Sequence, residues 1–210
     1  MMIVSDFDQT LRGGNSCIEI LPPDKKPEGV RLHNQLILEC NSLVQEYDDI
    51  NKLIEAIDQT HYKYMKQGAR LLEGENIAIF SKKCSPLHRN FSKIISEARK
   101  NNGIKILTCS DWRIADKFAR NYIDCEYEIL GSELGSKDRK FDGTIKRFFG
   151  AKAKMDSYEE GDVYGDDITN IGLFYKAYIK GFDIYLIKTE IKQNSILNAT
   201  RKFKIPVKYL

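Results

Sequence analysis

Four short apolar runs constrain this chain most: "MIVS" at 2–5, "IKILTC" at 104–109, "DVY" at 162–164 and "DIYLI" at 183–187. Each is rich in β-branched residues and lacks the in–out alternation of a strand with one wet face. Such runs suit strands covered on both sides, as in a parallel sheet. Helical patterns separate them. In "CSPLHRNFSKIISEARKNNG" Ser85 fits a cap and Pro86 the first helical position. Leu87, Phe91, Ile94, Ile95 and Ala98 then fall on one face, and Gly103 ends the run. A second helix is predicted over about 111–122 and a third from about Thr169 to Lys180, ending at Gly181. Strands alternating with helices predict an α/β fold with a parallel sheet and helices on both faces.

The stretch 13–80 breaks this rhythm. It opens on the turn-rich "GGNS" and "PPDKKP" and continues into two long helical patterns. In the second, Ile50, Leu53, Ile54, Ile57, His61, Tyr64 and Met65 recur at helical spacing, which reads as a packed helix face. A helical insertion after the first strand is therefore expected over the C-terminal edge of the sheet, where open α/β sheets bind ligands. The domain division that follows is a core of 1–12 and 81–210 with an insertion of 13–80.

Bulk properties exclude several classes. Lys and Arg number 33 against 30 Asp and Glu, a balance that does not indicate a nucleic-acid partner. No run approaches the roughly 18 apolar residues of a membrane span. The first apolar run ends at Val4 before acid, unlike a signal peptide. Five scattered cysteines, never in C-x-x-C spacing, predict reduced and mostly buried thiols in a cytoplasmic protein. The three histidines match no metal-ligand spacing. The tail "RKFKIPVKYL" reads as a final strand or packing segment. Oligomeric state has no sequence signature.

The chemistry concentrates at strand ends. Asp6 and Asp8 follow the first strand two residues apart, which directs both to one side. Carboxylates that close repel and call for a cation or a shared proton. Mg²⁺ suits such an all-oxygen environment. Asp8 and Thr10 making only turn hydrogen bonds is the plainer alternative. "DVYGDDITN" sets Gly165, Asp166, Asp167 and Asn170 after another strand, at the same edge, with the glycine expected to supply a turn. Thr108 ends the strand "IKILT", and Lys152 or Lys154 in "GAKAK" would bring positive charge; Lys152 is the first choice. A carboxylate facing a phosphate dianion needs metal, ammonium and hydroxyl donors around the phosphoryl oxygens.

In this order, "DFDQT", "ILT", a lysine and "GDDITN", the chain resembles the haloacid dehalogenase-like phosphatase superfamily. Asp6, Asp8 and Thr10 match its D-x-D-x-T motif, Thr108 its strand-ending hydroxyl, and Gly165, Asp166 and Asn170 its G-D-x-x-x-D motif, with Asn in place of the last Asp. The resemblance implies a Rossmann-like core and, between the first two motifs, a C1-type helical cap. "ILGSELGSKDRKFDGTI", a strand and a turn before the lysine, is similar to the phosphoserine-phosphatase-like branch. It implies Asp6 as nucleophile through an aspartyl-phosphate and Asp8 as acid and base. Mg²⁺ would be held by Asp6, the Asp8 backbone carbonyl and Asp166. Thr108 and the lysine would hold the phosphoryl group, and Asp167 or Asn170 would support the metal's waters or the lysine.

The expected function is Mg²⁺-dependent hydrolysis of a small phosphorylated metabolite. Alternatives are a phosphatase for a nucleic-acid end or protein, a phosphotransferase or mutase, and a non-catalytic module retaining the fold. Phosphoserine specificity does not carry over, because "LRGGNSCIEI" holds no acid before Glu19. Arg12 and Arg113 are expected near the mouth, on the surface or against substrate.

Overall fold

A computed structural model describes residues 1–78, 87–188 and 194–210. Its centre is a seven-stranded sheet of order β4-β3-β2-β1-β5-β6-β7. The strands are β1 (Ile3–Ser5), β2 (Ile104–Asp111), β3 (Tyr127–Lys137), β4 (Lys140–Arg147), β5 (Val163–Gly165), β6 (Ile184–Leu186) and β7 (Lys208–Tyr209). All neighbours pair in parallel except β3 with β4, an antiparallel hairpin at one edge. The four apolar runs are thus β1, β2, β5 and β6, and the tail closes the other edge as β7.

β1 shows why both faces are covered. Ile3 joins one hydrophobic cluster with Ile104 and Ile106, beneath α4 (Phe91–Lys100) and α5 (Trp112–Tyr122). Val4 points the other way and joins Leu107, Val163, Ile184 and Leu186, beneath α7 (Ile171–Ile179) and α8 (Asn194–Lys202). Gly103 enters β2 at φ +110°, a region open to glycine, and a Cβ there would meet the Glu126 carbonyl at 2.2 Å.

The helical insertion comprises α1 (Ser16–Glu19), α2 (Lys26–Glu46) and α3 (Ile50–Leu71). Asp49 caps α3 by accepting from the Asn51 and Lys52 amides. The predicted stripe packs, but not as a separate layer: Leu53, Ile54 and Ile57 belong to the same cluster as β5 and β6.

Several local expectations are corrected. α4 begins at Phe91, so Leu87 is not on its buried face; it is 41% exposed and bridges Arg12. Ser85 and Pro86 lie outside the described residues, as does Cys84. The third helix starts as a 3-10 turn at Ile168–Asn170 before α7. Among the described cysteines only Cys40 is buried, whereas Cys17 is exposed and Cys109 and Cys125 are intermediate. No described helix is long and apolar enough to cross a membrane.

Candidate active site

The parallel register brings the chemistry to one edge. Ser5 aligns with Ile106 and Tyr164, so Asp6, Thr108 and Asp166 emerge side by side at the C-terminal ends of β1, β2 and β5. Gln9 turns the chain after β1 at φ +55°, and Thr10 Oγ1 returns to donate to Asp166 Oδ1 at 3.1 Å.

Asp6 is buried and fully engaged. Its Oδ1 accepts from the Phe7 amide at 2.7 Å, and its Oδ2 from Asn170 Nδ2 at 2.8 Å. Lys154 Nζ lies 2.9 Å from the same Oδ2 and also donates to Asn170 Oδ1 at 2.9 Å. Burial alone would lower the Lys154 ammonium, but the charge and hydrogen bond of Asp6, together with Cys109 and Asp167, more than offset it and hold the lysine charged. Burial raises Asp6, against the pull of Lys154. Gly165 serves this contact. It is the last residue of β5 and has no positive φ, so it does not supply the expected turn. A Cβ there would instead lie 2.9 Å from the Asn170 amide.

The structure corrects the choice of lysine. Lys154 comes from α6 (Ala151–Ser157) with its side chain fully buried, whereas the Lys152 side chain is 53% exposed and meets only Asp156, at 3.8 Å, in an ion pair. At 100° per residue the two lie on opposite sides of the helix, and only one can face Asp6. The start of α6 is held from outside. Asp58 of α3 accepts the Ala151 amide at 2.5 Å and the Lys152 amide at 3.0 Å. The cap residue itself is Gly150, where a Cβ would meet Asp58 Oδ1 at 2.2 Å. An acid of the helical insertion thus caps the helix that carries Lys154.

Asp8 has different company. Its Oδ2 accepts from the Ser16 and Ser110 hydroxyls, each at 2.6 Å, and its Oδ1 from the Ser16 amide at 3.0 Å. Arg12 Nε stands 3.8 Å away. Burial raises the Asp8 carboxyl, opposed by Arg12 and the two serines. Arg12 is not on the surface: it is buried, ion-paired to Glu19 and stacked over Phe7. Arg113 bonds Asp111 and the Leu134 carbonyl instead of facing the cavity. Thr108 is buried, its hydroxyl oxygen accepting the Ser110 amide at 3.0 Å.

Asp6, Asp166 and Asp167 each place a carboxylate oxygen within 4.8 Å of the others. Burial and the charges of Asp167 and Asp6 push Asp166 well above the usual carboxylate range. That crowding of like charge on an all-oxygen set is what a divalent cation relieves, so the residues fit Mg²⁺. The Asp8 carboxylate is not in this group, and Asp167 adds a third acid to the expected Asp6 and Asp166.

Sequence reasoning missed Ser16, Asp58, and His33 with His61. Ser110 alone carried a signal, being two residues after Thr108 on the same strand. His33 and His61, 28 positions apart in sequence, line one cavity above the acids. Burial lowers both, His61 to about 4.

The fold is shared with solved structures of phosphoserine phosphatase and of a HAD family hydrolase. A phosphoserine phosphatase caught as a phospho-aspartyl intermediate analogue superimposes with a TM-score of 0.67 at 15% identity, over 94% of this chain and 90% of that one. A cytosolic 5′-nucleotidase IIIB bound to cytidine gives 0.63 at 15% identity, over 100% and 80%. A phosphoserine phosphohydrolase-like protein from Francisella tularensis gives 0.56 at 18% identity, over 94% and 91%. No family model and no curated protein sequence matches the chain.

Proposed function

We propose that this chain is a Mg²⁺-dependent phosphomonoesterase that hydrolyses a small phosphorylated metabolite through an aspartyl-phosphate. The observation that carries the reading is the unlike treatment of two acids two residues apart. Asp6 is paired to a buried lysine beside two further carboxylates, while Asp8 is held by hydroxyls. A nucleophile must share its surroundings with whatever neutralises phosphate; a proton donor must be held less tightly by cations, and Arg12 stands 3.8 Å from Asp8 against 2.9 Å between Lys154 and Asp6.

Asp6, Asp166 and Asp167, with the Asp8 backbone carbonyl, would hold Mg²⁺, which supplies positive charge against the phosphate dianion. An Asp6 carboxylate oxygen attacks phosphorus as the bond to the leaving oxygen breaks, and Asp8 delivers its proton to that oxygen. Asp8, now a carboxylate, takes a proton from water, which attacks the aspartyl-phosphate and releases inorganic phosphate. Lys154 and Thr108 hold the phosphoryl oxygens, and Asn170 orients Lys154 and Asp6. Residues 13–80 act as the cap over a catalytic core of 1–12 and 81–210; the boundary at 80 lies outside the described residues.

Turnover of p-nitrophenyl phosphate with Mg²⁺ tests the reading. Activity that disappears in Asp6→Asn supports it. An intact protein as inert as Asp6→Asn removes it and leaves a binding module with this fold.

A further inference from the structure

The cavity between the acids and the helical insertion has a volume of about 160 Å³. Asp6, Asp8, Thr108 and Asp166 form its floor. Its upper wall is Ile18, Leu21, Leu32, Leu36, Met65 and Leu72, all from the insertion. Among the described residues no lysine or arginine lines it. The polar groups of the upper wall include Asn15, His33 and His61, none of which carries charge at neutral pH. Asn15 Nδ2 lies 3.4 Å from His33 Nδ1.

The absence of cations here decides what can leave. A phosphorylated amino acid would carry its carboxylate into an upper wall of leucine, isoleucine and methionine with no counter-charge, and burying an unpaired carboxylate is costly.

We infer that this site takes the phosphate monoester of a small, uncharged and largely apolar alcohol and rejects phosphorylated amino acids. This rests on the phosphatase reading above. The reaction is water plus ester giving inorganic phosphate plus the neutral alcohol, so the product leaves the apolar wall without a charge.

Three esters of primary alcohols keep the leaving groups alike: benzyl phosphate, O-phospho-L-serine and a nucleoside 5′-monophosphate. With Mg²⁺ the expected kcat/KM for benzyl phosphate exceeds that for phosphoserine by about 100-fold or more, the scale of an unpaired charge in an apolar pocket. Leu32→Arg should shrink that ratio at least tenfold, about the effect of supplying one counter-charge. Phosphoserine or the nucleotide turned over as well as benzyl phosphate overturns the inference. A binding arm separates the two claims: benzyl alcohol and L-serine are titrated into Asp6→Asn while thermal unfolding is followed. Benzyl alcohol should raise Tm and serine should not. Turnover of the esters with no shift from benzyl alcohol overturns the cavity assignment alone. A shift with no turnover of any ester overturns the phosphatase reading and the substrate assignment with it, leaving an apolar ligand site.

Discussion

At the sheet edge every acid has specific company. Asp6 meets Lys154 and Asn170, Asp8 meets Ser16 and Ser110, and Asp166 meets Thr10. Across the cavity, the helical insertion presents mostly aliphatic side chains and two histidines whose burial keeps them neutral. The floor is built by strands whose register is fixed by hydrogen bonds and two hydrophobic clusters, so its geometry follows from the fold. The wall is built by the helices of the insertion, which take no part in the strand pairing. On the proposed function, the difference separates reaction from specificity: chemistry in the sheet edge, choice of substrate in the insertion.

Substitutions on the floor should break this comparison most severely. Asp6→Asn should cost about 10⁴-fold in kcat, the scale for losing a catalytic nucleophile. Lys154→Ala should cost about 10²- to 10³-fold, as for removing one group that stabilises transition-state charge. Lys152→Ala should stay within about twofold, being a surface change. Equal losses in the two lysine variants would contradict the assignment. Asp8→Asn should cost about 10²- to 10⁴-fold with benzyl phosphate, the range of general acid catalysis. The loss should be smaller with p-nitrophenyl phosphate, whose leaving group needs less help from a proton.

Asp58 sharpens the comparison because it joins the two regions. Asp58→Ala removes the cap of α6, which should lower stability by about 1 kcal/mol. It should also lower kcat through Lys154 while leaving KM nearly unchanged. The conservative Asp58→Asn keeps one acceptor oxygen for the two amides that Asp58 holds on separate oxygens, so it should restore part of kcat. A variant that loses stability but keeps kcat would show the cap to be structural only.

In the wall the expected effect is on stability and not on turnover. His61 is lowered from its ordinary value to about 4 by burial, so the unfolded chain binds the extra proton more readily. Its contribution therefore destabilises the fold as pH falls from about 6.5 towards 4, and is absent above that window. Raised carboxyls such as Asp166 act in the opposite sense, so the difference between wild type and His61→Gln isolates the histidine. From pH 7 to 4.5 the wild type should lose up to about 2 kcal/mol more than the variant.

Much of this was legible in the sequence for a physical reason. Strands covered on both faces leave unbroken apolar runs, and β1, β2, β5 and β6 were read directly from them. Motif spacing along such strands then placed Asp6, Thr108 and Asp166 at one edge. The lysine was not legible in the same way. Lys152 and Lys154 differ only in helical phase, and phase depends on where α6 starts, which Asp58 sets from 93 residues away. The buried pair Ala151 and Lys154, three apart, was the local clue. His33 and His61 gave no clue, since only the packing of α2 on α3 brings them to one wall. Arg12 misled because a charged residue beside a turn reads as surface, and its burial depends on the ion pair with Glu19.

The central claim, that Asp6 and Asp8 divide nucleophile from proton donor, is tested most directly by acid-quenched mass spectrometry. The protein is mixed with p-nitrophenyl phosphate and Mg²⁺, quenched, and digested with trypsin to release the peptide ending at Arg12. The Asp8→Asn variant should carry a phosphoryl group on Asp6, and Asp6→Asn should carry none. A phosphoryl group on any other residue, or turnover that survives Asp6→Asn, would contradict the account.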